Sequence, residues 1–126
     1  MVSVLEILVK KKIEEYFNIK LKHTKEYDIY DYVNANKDTF FELKGRSNKY
    51  NKYPTTMIGY NKIKECIKNK NNSYYFVFQF IDGLYYCKYT EELLSKCEIK
   101  RGGRCDRGRP EFKQYVFIPI ELLIKI

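Results

Sequence analysis

"FFELKGR", residues 40–46, places a carboxylate and an ammonium group two positions apart within a largely apolar run. Successive side chains of a β-strand point to opposite faces, so Glu42 and Lys44 share one face while Phe41 and Leu43 share the other. In isolation this pattern indicates a half-exposed strand with a Glu–Lys salt bridge on its polar face. The sequence on either side decides whether the pair has a chemical role.

The segments before this stretch predict a helix followed by a β-hairpin. Apolar residues recur at helical spacing over residues 2–17, which indicates an amphipathic helix. "EYDIYDYV", residues 26–33, alternates as a strand does. The Asn- and Asp-rich residues 34–38 then predict a turn that leads into a strand over 39–45. The Glu–Lys pair therefore falls on the second strand of a predicted hairpin.

The segments after this hairpin predict a second helix and a second hairpin. Pro54 and the two threonines that follow it are a helix-start signal, and the helix is predicted to run to about Lys68. The long β-rich run at 74–89 is broken by Asp82-Gly83, a strong signal for a hairpin turn. The predicted order is helix, two strands, helix and two strands, so its core is α-β-β-α-β.

The C-terminal part is smaller and basic. Thr90 is the predicted N-cap of a short helix. "RGGRCDRGRP", residues 101–110, is predicted to be a loop and holds four of the chain's five arginines. A last strand and a short apolar tail follow. Because there is no repeat and no linker, we expect one domain over 1–126, with a core at about 2–89 and the C-terminal basic loop and strand at 98–126.

The net charge of +8 over 126 residues favours polyanionic partners, because clustered lysine and arginine side chains release counterions from a phosphate backbone. No run approaches the roughly 18 consecutive apolar residues that span a bilayer, so we expect no membrane partner. The basic residues near the N-terminus follow the apolar stretch, which is the reverse of a secretory signal. We therefore expect a soluble intracellular protein, in the host cytoplasm or nucleus if its source is a virus.

A second acidic residue can join Glu42. Asp31 lies on the first strand of the predicted hairpin, eleven positions earlier. Paired antiparallel strands place facing side chains about 4.5–5.5 Å apart at Cβ, so the two carboxylates can converge on one ion. Hard oxygen ligands suit Mg²⁺, and the backbone carbonyl of Leu43 can complete the site. Such an ion activates water for phosphodiester hydrolysis, and Lys44 can orient that water or offset phosphate charge.

The segments "DYV", "FFELKGR" and "YPTTMIGYNK" together resemble the PD-(D/E)XK nuclease superfamily, close to small Holliday-junction-resolvase-like nucleases of large DNA viruses and phages. The resemblance covers roughly residues 5–89. It implies a restriction-endonuclease-like fold of the α/β (α+β) class, with a mixed central sheet flanked by helices. It also implies Asp31 and Glu42 as ligands of Mg²⁺ or Mn²⁺, and Lys44 as the catalytic lysine.

Three assignments stay open in the sequence. Asp28 competes with Asp31, although Asp31 matches the family's pattern of an acid followed by an aromatic and an aliphatic residue. The superfamily often uses a further glutamate on the first helix, and Glu6 is the candidate for that metal ligand. Lys62, on the second predicted helix, is either a phosphate contact or part of an exposed helix face.

Eight basic residues are candidates for nucleic-acid binding. The loop after the Glu–Lys strand can guide DNA to the site. Arginine is rare in this chain, which has 19 lysines, yet the C-terminal loop holds four arginines. The arginine fork matches the geometry of phosphate. The candidates are Arg46, Lys49, Lys52, Lys62, Arg101, Arg104, Arg107 and Arg109.

The sequence therefore predicts a divalent-metal-dependent nuclease that cleaves DNA. We expect it to act as an endonuclease in viral DNA replication, recombination or repair. Two alternatives remain. An RNA nuclease would use the same residues, because the contacts to the 2′-hydroxyl that distinguish RNA are not visible in one chain. A nucleic-acid-binding module on the same fold would lack cleavage. A homodimer fits the small size of the chain, but no segment identifies its interface.

Overall fold

The computed structural model describes residues 4–25, 28–104 and 111–126, and of residues 102–104, 111 and 112 it describes the backbone only. Its helices are α1 (Val4–Phe17), α2 (Tyr60–Lys68) and α3 (Glu91–Ser95), with a 3₁₀ turn at Ile120–Leu122. Its strands are β1 (Leu21–His23), β2 (Tyr32–Asn34), β3 (Thr39–Gly45), β4 (Thr55–Gly59), β5 (Ser73–Phe80), β6 (Gly83–Lys88), β7 (Glu98–Arg104), β8 (Glu111–Pro119) and β9 (Ile124–Lys125). No helix in these ranges combines the length and hydrophobicity needed to cross a membrane.

The strands form two sheets. One has six strands in the order β1-β2-β3-β5-β6-β9, and the other has three in the order β4-β8-β7. Strands β3 and β5 are parallel, with Glu42 beside Phe76, whereas the other neighbours in both sheets are antiparallel. This mixed central sheet with flanking helices confirms the predicted α+β class and its restriction-endonuclease-like architecture.

The six-stranded sheet is covered on both faces. On one face, Val9 and Ile13 of α1 pack in a cluster with Phe41 and Val77. On the other face, α2 and the three-stranded sheet pack on Phe76 and its neighbours in the larger cluster, through residues that include Ile58, Ile63, Cys66, Val116 and Ile118. Strand β3 is therefore buried between two layers, which explains why a predicted half-exposed strand has a buried centre.

The predicted strand over 26–33 is wrong at 28–31, which belong to no strand, whereas residues 26–27 lie outside the described ranges. Strand β2 begins at Tyr32, and the carboxylate of Asp28 instead accepts a hydrogen bond from the backbone N–H of Lys25, at 2.9 Å. A local side-chain bond of this kind competes with strand pairing and favours a turn. The sequence also missed β1, which pairs with β2 at the edge of the sheet.

The second helix begins later than predicted. Residues after Pro54 form β4, whose β-branched side chains favour a strand, and β4 pairs with β8. Gly59 is the N-cap of α2, and the helix starts at Tyr60 and ends at Lys68, where its end was predicted. The α-β-β-α-β order holds for α1, β2, β3, α2 and β5, with β1 and β4 added between them.

The C-terminal predictions are confirmed in part. Thr90 caps α3, since its hydroxyl accepts a hydrogen bond from the N–H of Leu93 at 2.9 Å. Asp82 and Gly83 lie at the predicted turn between β5 and β6. The predicted loop over 101–110 is wrong at its start, because residues through 104 extend β7 along β8; residues 105–110 lie outside the described ranges.

Ile63→Ala should lower the free energy of unfolding by about 2–5 kcal/mol, because Ile63 is 2% exposed and its truncation leaves a cavity under α2. Ile67→Ala on the same helix should cost about 0.5 kcal/mol or less, because Ile67 is 41% exposed. Urea unfolding followed by circular dichroism measures both changes. Equal losses in the two variants would contradict the placement of α2.

Candidate active site

Two carboxylates meet at the end of β2 and the middle of β3. Glu42 is 2% exposed, and its Oε1 is buried without a hydrogen-bond partner among the described residues. Asp31 immediately precedes β2, and its Oδ2 accepts a hydrogen bond from the N–H of Leu43, at 2.8 Å. The N–H of Asp31 donates to the carbonyl of Phe41, at 3.1 Å. These backbone contacts hold the Asp31 carboxylate beside Glu42.

Burial raises the pKa of Glu42, and the negative charge of Asp31 raises it further. The positive charges of Lys62 and Lys44 act in the opposite direction without reversing the shift. Two carboxylates in a buried position repel each other unless a proton or a cation lies between them. Repulsion between these two carboxylates therefore favours a proton or a cation at the pair.

Two lysines contact the same oxygen of Glu42. Lys44 Nζ lies 3.2 Å and Lys62 Nζ lies 3.3 Å from Oε2. The Lys44 side chain is 40% exposed, whereas that of Lys62 is only 14% exposed. Lys62 also donates to the carbonyl of Ile29 and lies 5.5 Å from the ring centroid of Tyr30. Lys62 is thus held in place, and Lys44 faces solvent.

The contact between Lys62 and Glu42 is a finding that sequence spacing did not reveal. The exposed-face alternative for Lys62 is wrong, because its side chain is 14% exposed and forms an ion pair across the interface between α2 and β3, while its contact with phosphate stays a prediction. Tyr30 completes this arrangement, because its hydroxyl donates to the carbonyl of Lys62 at 3.0 Å. Helical spacing gave no signal for either contact, since both join segments far apart in the chain.

Glu6 approaches the pair from the α1 side of the sheet. The hydroxyl of Tyr32 donates to Glu6 Oε1, at 3.2 Å. Glu6 and Asp31 line one small cleft of about 290 Å³, together with Leu43 and Gln79. Sequence analysis missed Gln79, although it is the one polar side chain within "YYFVFQF" and that contrast was a usable signal. The structure therefore brings the tentative ligand Glu6 to the same cleft as Asp31.

The structure distinguishes the two competing aspartates. The charge of Asp31 acts on Glu42, whereas the carboxylate of Asp28 is exposed and closes a turn with Lys25. The acidic residue before the aromatic and aliphatic pair is therefore the one that meets Glu42.

The donor set fits a hard divalent cation. Among the side chains of the described residues, no group of three His, Cys, Asp or Glu is close enough to hold a metal ion. A structural zinc site with four protein ligands is not formed by these side chains. Mg²⁺ needs fewer protein ligands, because it keeps several waters. The Asp31–Glu42 pair, with its unpartnered Oε1, and the neighbouring carbonyl of Leu43 fit that requirement.

The predicted nucleic-acid contacts lie in different settings. Lys49 and Lys52 are exposed in the loop between β3 and β4, and Lys52 Nζ lies 5.4 Å from the ring centroid of Tyr53. Arg101 is exposed on β7. For Arg104 only the backbone is described, on β7, while the predicted contacts Arg107 and Arg109 lie outside the described ranges.

Arg46 makes contacts within the protein. Its Nε donates to the hydroxyl of Thr56 at 3.1 Å, and its Nη2 donates to the carbonyl of Met57. The guanidinium carbon lies 5.5 Å from the ring centroid of Phe78, and burial lowers the pKa of Arg46. These contacts tie the end of β3 to β4.

Arg46→Ala should lower the free energy of unfolding by about 1–3 kcal/mol, because it leaves the groups on Thr56 and Met57 without their donor. Lys49→Ala, in the same loop, should change it by about 0.5 kcal/mol or less. Denaturant titration of both variants gives the comparison. Unchanged stability in Arg46→Ala, with weaker nucleic-acid binding, would assign Arg46 to the substrate instead.

Comparison with known families agrees with this geometry. The model of the family described as "Phage putative PDDEXK endonuclease" matches residues 4–126. A search of curated proteins found no match. The matched range contains both carboxylates and both lysines of the site, and it extends through the three-stranded sheet. Because the match covers nearly the whole chain, the protein belongs to this phage family of PD-(D/E)XK endonucleases.

Proposed function

We propose that this protein is a divalent-metal-dependent endonuclease that hydrolyses phosphodiester bonds of DNA in viral replication, recombination or repair. The observation that carries the proposal is the buried, unpartnered Oε1 of Glu42 beside the carboxylate of Asp31. The family supports nuclease activity, the choice of metal rests on the chemistry of the site, and the choice of DNA rests on the resemblance to resolvase-like nucleases of DNA viruses and phages. Mg²⁺ is the expected ion, with Mn²⁺ as a substitute.

The carboxylates are arranged to receive the ion. When bound, the metal lowers the pKa of a coordinated water and offsets charge on the phosphate. Asp31 is oriented by the N–H of Leu43, so one oxygen is fixed and the other remains available. The two lysines at Oε2 of Glu42 oppose the effect of burial on its pKa, and Oε1 has no hydrogen-bond partner among the described residues. The carbonyl of Leu43 is the further proposed ligand, whereas Glu6 lines the same cleft as Asp31 but does not form a three-residue metal cluster with the described pair.

The two lysines have different roles in this proposal. Lys44 is the more exposed, so its ammonium can turn from Glu42 toward a phosphate oxygen or the attacking water. A lysine ammonium has three donors on a flexible stem, which suits such a movement. Lys62 is held by Ile29 and Tyr30, so it stays with Glu42. Lys44 is therefore the proposed catalytic lysine, and Lys62 positions Glu42.

A cleavage assay tests the function directly. Labelled single-stranded, duplex, flap and four-way-junction DNA, with matching RNA, should be incubated with Mg²⁺ or Mn²⁺. Asp31→Asn, Glu42→Gln and Lys44→Ala should each lower the cleavage rate by about 10²–10³-fold, because each removes a group that stabilises the developing charge. Asp28→Asn is the matched control and should cleave as the natural protein does, because its carboxylate serves a turn.

The outcomes of this assay separate the alternatives. Cleavage of RNA alone would replace the DNA assignment with an RNA nuclease. Binding of every substrate without cleavage, in either metal, would favour the inactive nucleic-acid-binding module. Activity that survives Asp31→Asn but is lost in Asp28→Asn would move the metal ligand to Asp28.

Metal-induced stabilisation should depend on pH. An ion that binds only the folded state stabilises it, by about 2.7 kcal/mol at one hundred times its Kd. Because burial and Asp31 raise the pKa of Glu42, protonation displaces the ion as the pH falls through that raised pKa. Thermal melting with and without Mg²⁺ across a pH series should show that Mg²⁺ raises the melting temperature at neutral pH and no longer raises it in acid.

Without metal the pH dependence has the opposite sign. A carboxyl whose pKa is raised on folding contributes stability below its ordinary pKa of 4.5, and this contribution is lost as the pH rises through the raised value. Asp31→Asn should abolish the metal-induced increment and lower the pKa of Glu42. A metal increment that is the same at every pH, or that persists in Asp31→Asn, would contradict the proposed site.

A further inference from the structure

A basic cleft opens beside the carboxylate pair, between β3, the first turn of α2 and β8. Its volume is about 570 Å³. Four of the side chains that line it are lysines, namely Lys44, Lys62, Lys64 and Lys113. The other described residues in its wall carry amides, tyrosine hydroxyls or no side chain, and none carries a carboxylate. The cleft is therefore built for a ligand with several negative charges.

This charge is not the average of the protein surface. The chain has 16 acidic against 24 basic residues, whereas the wall holds four lysines, and the one carboxylate that two of them contact, Glu42, lies outside the lining, so positive charge is in excess here. The N-terminus of α2 adds to it, because its N-cap is Gly59, which has no side chain to cap the helix. Unsatisfied N–H groups at a helix start favour an anion nearby.

The lysines divide into two pairs. Lys44 and Lys62 contact Glu42 and belong to the proposed reaction site. Lys64 and Lys113 are exposed and lie at the part of the cleft supplied by α2 and β8. Lys64 Nζ lies 5.7 Å from the ring centroid of Tyr60, which orients its side chain. Lys64 and Lys113 therefore extend the positively charged wall of the cleft beyond the proposed reaction site.

The position of Lys113 relative to α2 is fixed by strand pairing. Strand β8 pairs with β4, with Tyr115 opposite Gly59, and β4 leads directly into α2. Lys113 and Tyr115 are two positions apart on β8 and so share one face.

We propose that this cleft is the backbone track of the nucleic acid, in which Lys64 and Lys113 bind phosphates that neighbour the one being cut. The inference rests on the proposed nuclease function and adds the surface that holds its substrate. Contacts of this kind fix the register and orientation of the strand without reading its sequence. The three-stranded sheet is then the second wall of the substrate site. The track leaves Arg46 outside it, because Arg46 is engaged with Thr56 and Met57.

Salt-dependent binding tests the track independently of cleavage. Fluorescence anisotropy of a labelled DNA duplex, in EDTA and at several salt concentrations, should show a lower affinity for the double variant Lys64→Ala/Lys113→Ala. The plot of log K against log salt should lose about two from its slope, because each lysine that contacts a phosphate contributes about one. At low salt we expect the affinity to fall by about tenfold or more.

Two further double variants remove the same charge elsewhere. Lys70→Ala/Lys96→Ala removes two exposed lysines outside the cleft and should leave the slope unchanged. Lys49→Ala/Lys52→Ala removes the loop lysines. The track would be overturned if the salt slope fell in Lys49→Ala/Lys52→Ala but stayed unchanged in Lys64→Ala/Lys113→Ala, as it should in Lys70→Ala/Lys96→Ala. Thermal melting of each variant confirms that the fold is retained.

The two proposals can fail separately. Reduced binding in Lys64→Ala/Lys113→Ala, from a natural protein that cleaves no substrate, would overturn the nuclease and support the track. Metal-dependent cleavage with unchanged binding and slope in that variant would support the nuclease and overturn the track. In the expected case, the variant cleaves with a raised KM and a kcat close to that of the natural protein, because its reacting groups are intact.

Discussion

The burial of one carboxylate is the constraint on which the structure depends. Glu42 lies in the middle of the central sheet, covered by α2 and beside Phe76 of the parallel strand. Burying an unpaired charge costs more than most single interactions contribute, so the surrounding elements must supply cations. Lys44 comes from the same strand and Lys62 from the helix above it. The packing of α2 therefore serves both the core, through Ile63, and the charge of Glu42.

The parallel pairing of β3 and β5 connects this site with the C-terminal sheet. Parallel neighbours need a crossover connection, and here the crossover contains β4 and α2. Strand β4 pairs with β8, so the crossover that carries Lys62 to Glu42 also anchors the three-stranded sheet. Arg46 strengthens this connection at its start, through Thr56 and Met57. One chain segment thus fixes the Glu42–Lys62 pair and the wall of the basic cleft relative to each other.

Local signals predicted the elements that depend on local chemistry. Strand β3, the hairpin at Asp82-Gly83 and the cap at Thr90 were all visible, because alternation, turn residues and caps act over a few positions. Strand β1 has three residues, too few to show a period. Strand β4 was mistaken for a helix start, because threonines after a proline suit both a helix cap and a strand. Its pairing with β8, distant in sequence, decides the outcome.

In the candidate site, too, some features follow from local sequence and others from contacts between distant segments. The Glu–Lys pair was readable because strand alternation alone places both side chains on one face. The choice between Asp31 and Asp28 depended on where the strand begins, and the side chain of Asp28 settles that by forming a turn. Lys62 and Gln79 come to the site through helix packing and strand register, which no single segment encodes.

Two cations on one oxygen of Glu42 have a consequence for the proposed reaction. If Lys44 moves to a phosphate, Glu42 still keeps Lys62, whose side chain is held by Ile29 and Tyr30. The positive charge of Lys62 then continues to oppose the effect of burial on the pKa of Glu42. A single lysine that moved to the substrate would no longer oppose that effect. In this proposal Lys62 stabilises the charge of Glu42, and Lys44 contacts the substrate. Their exposures match these roles, because the side chain of Lys62 is 14% exposed and that of Lys44 is 40% exposed.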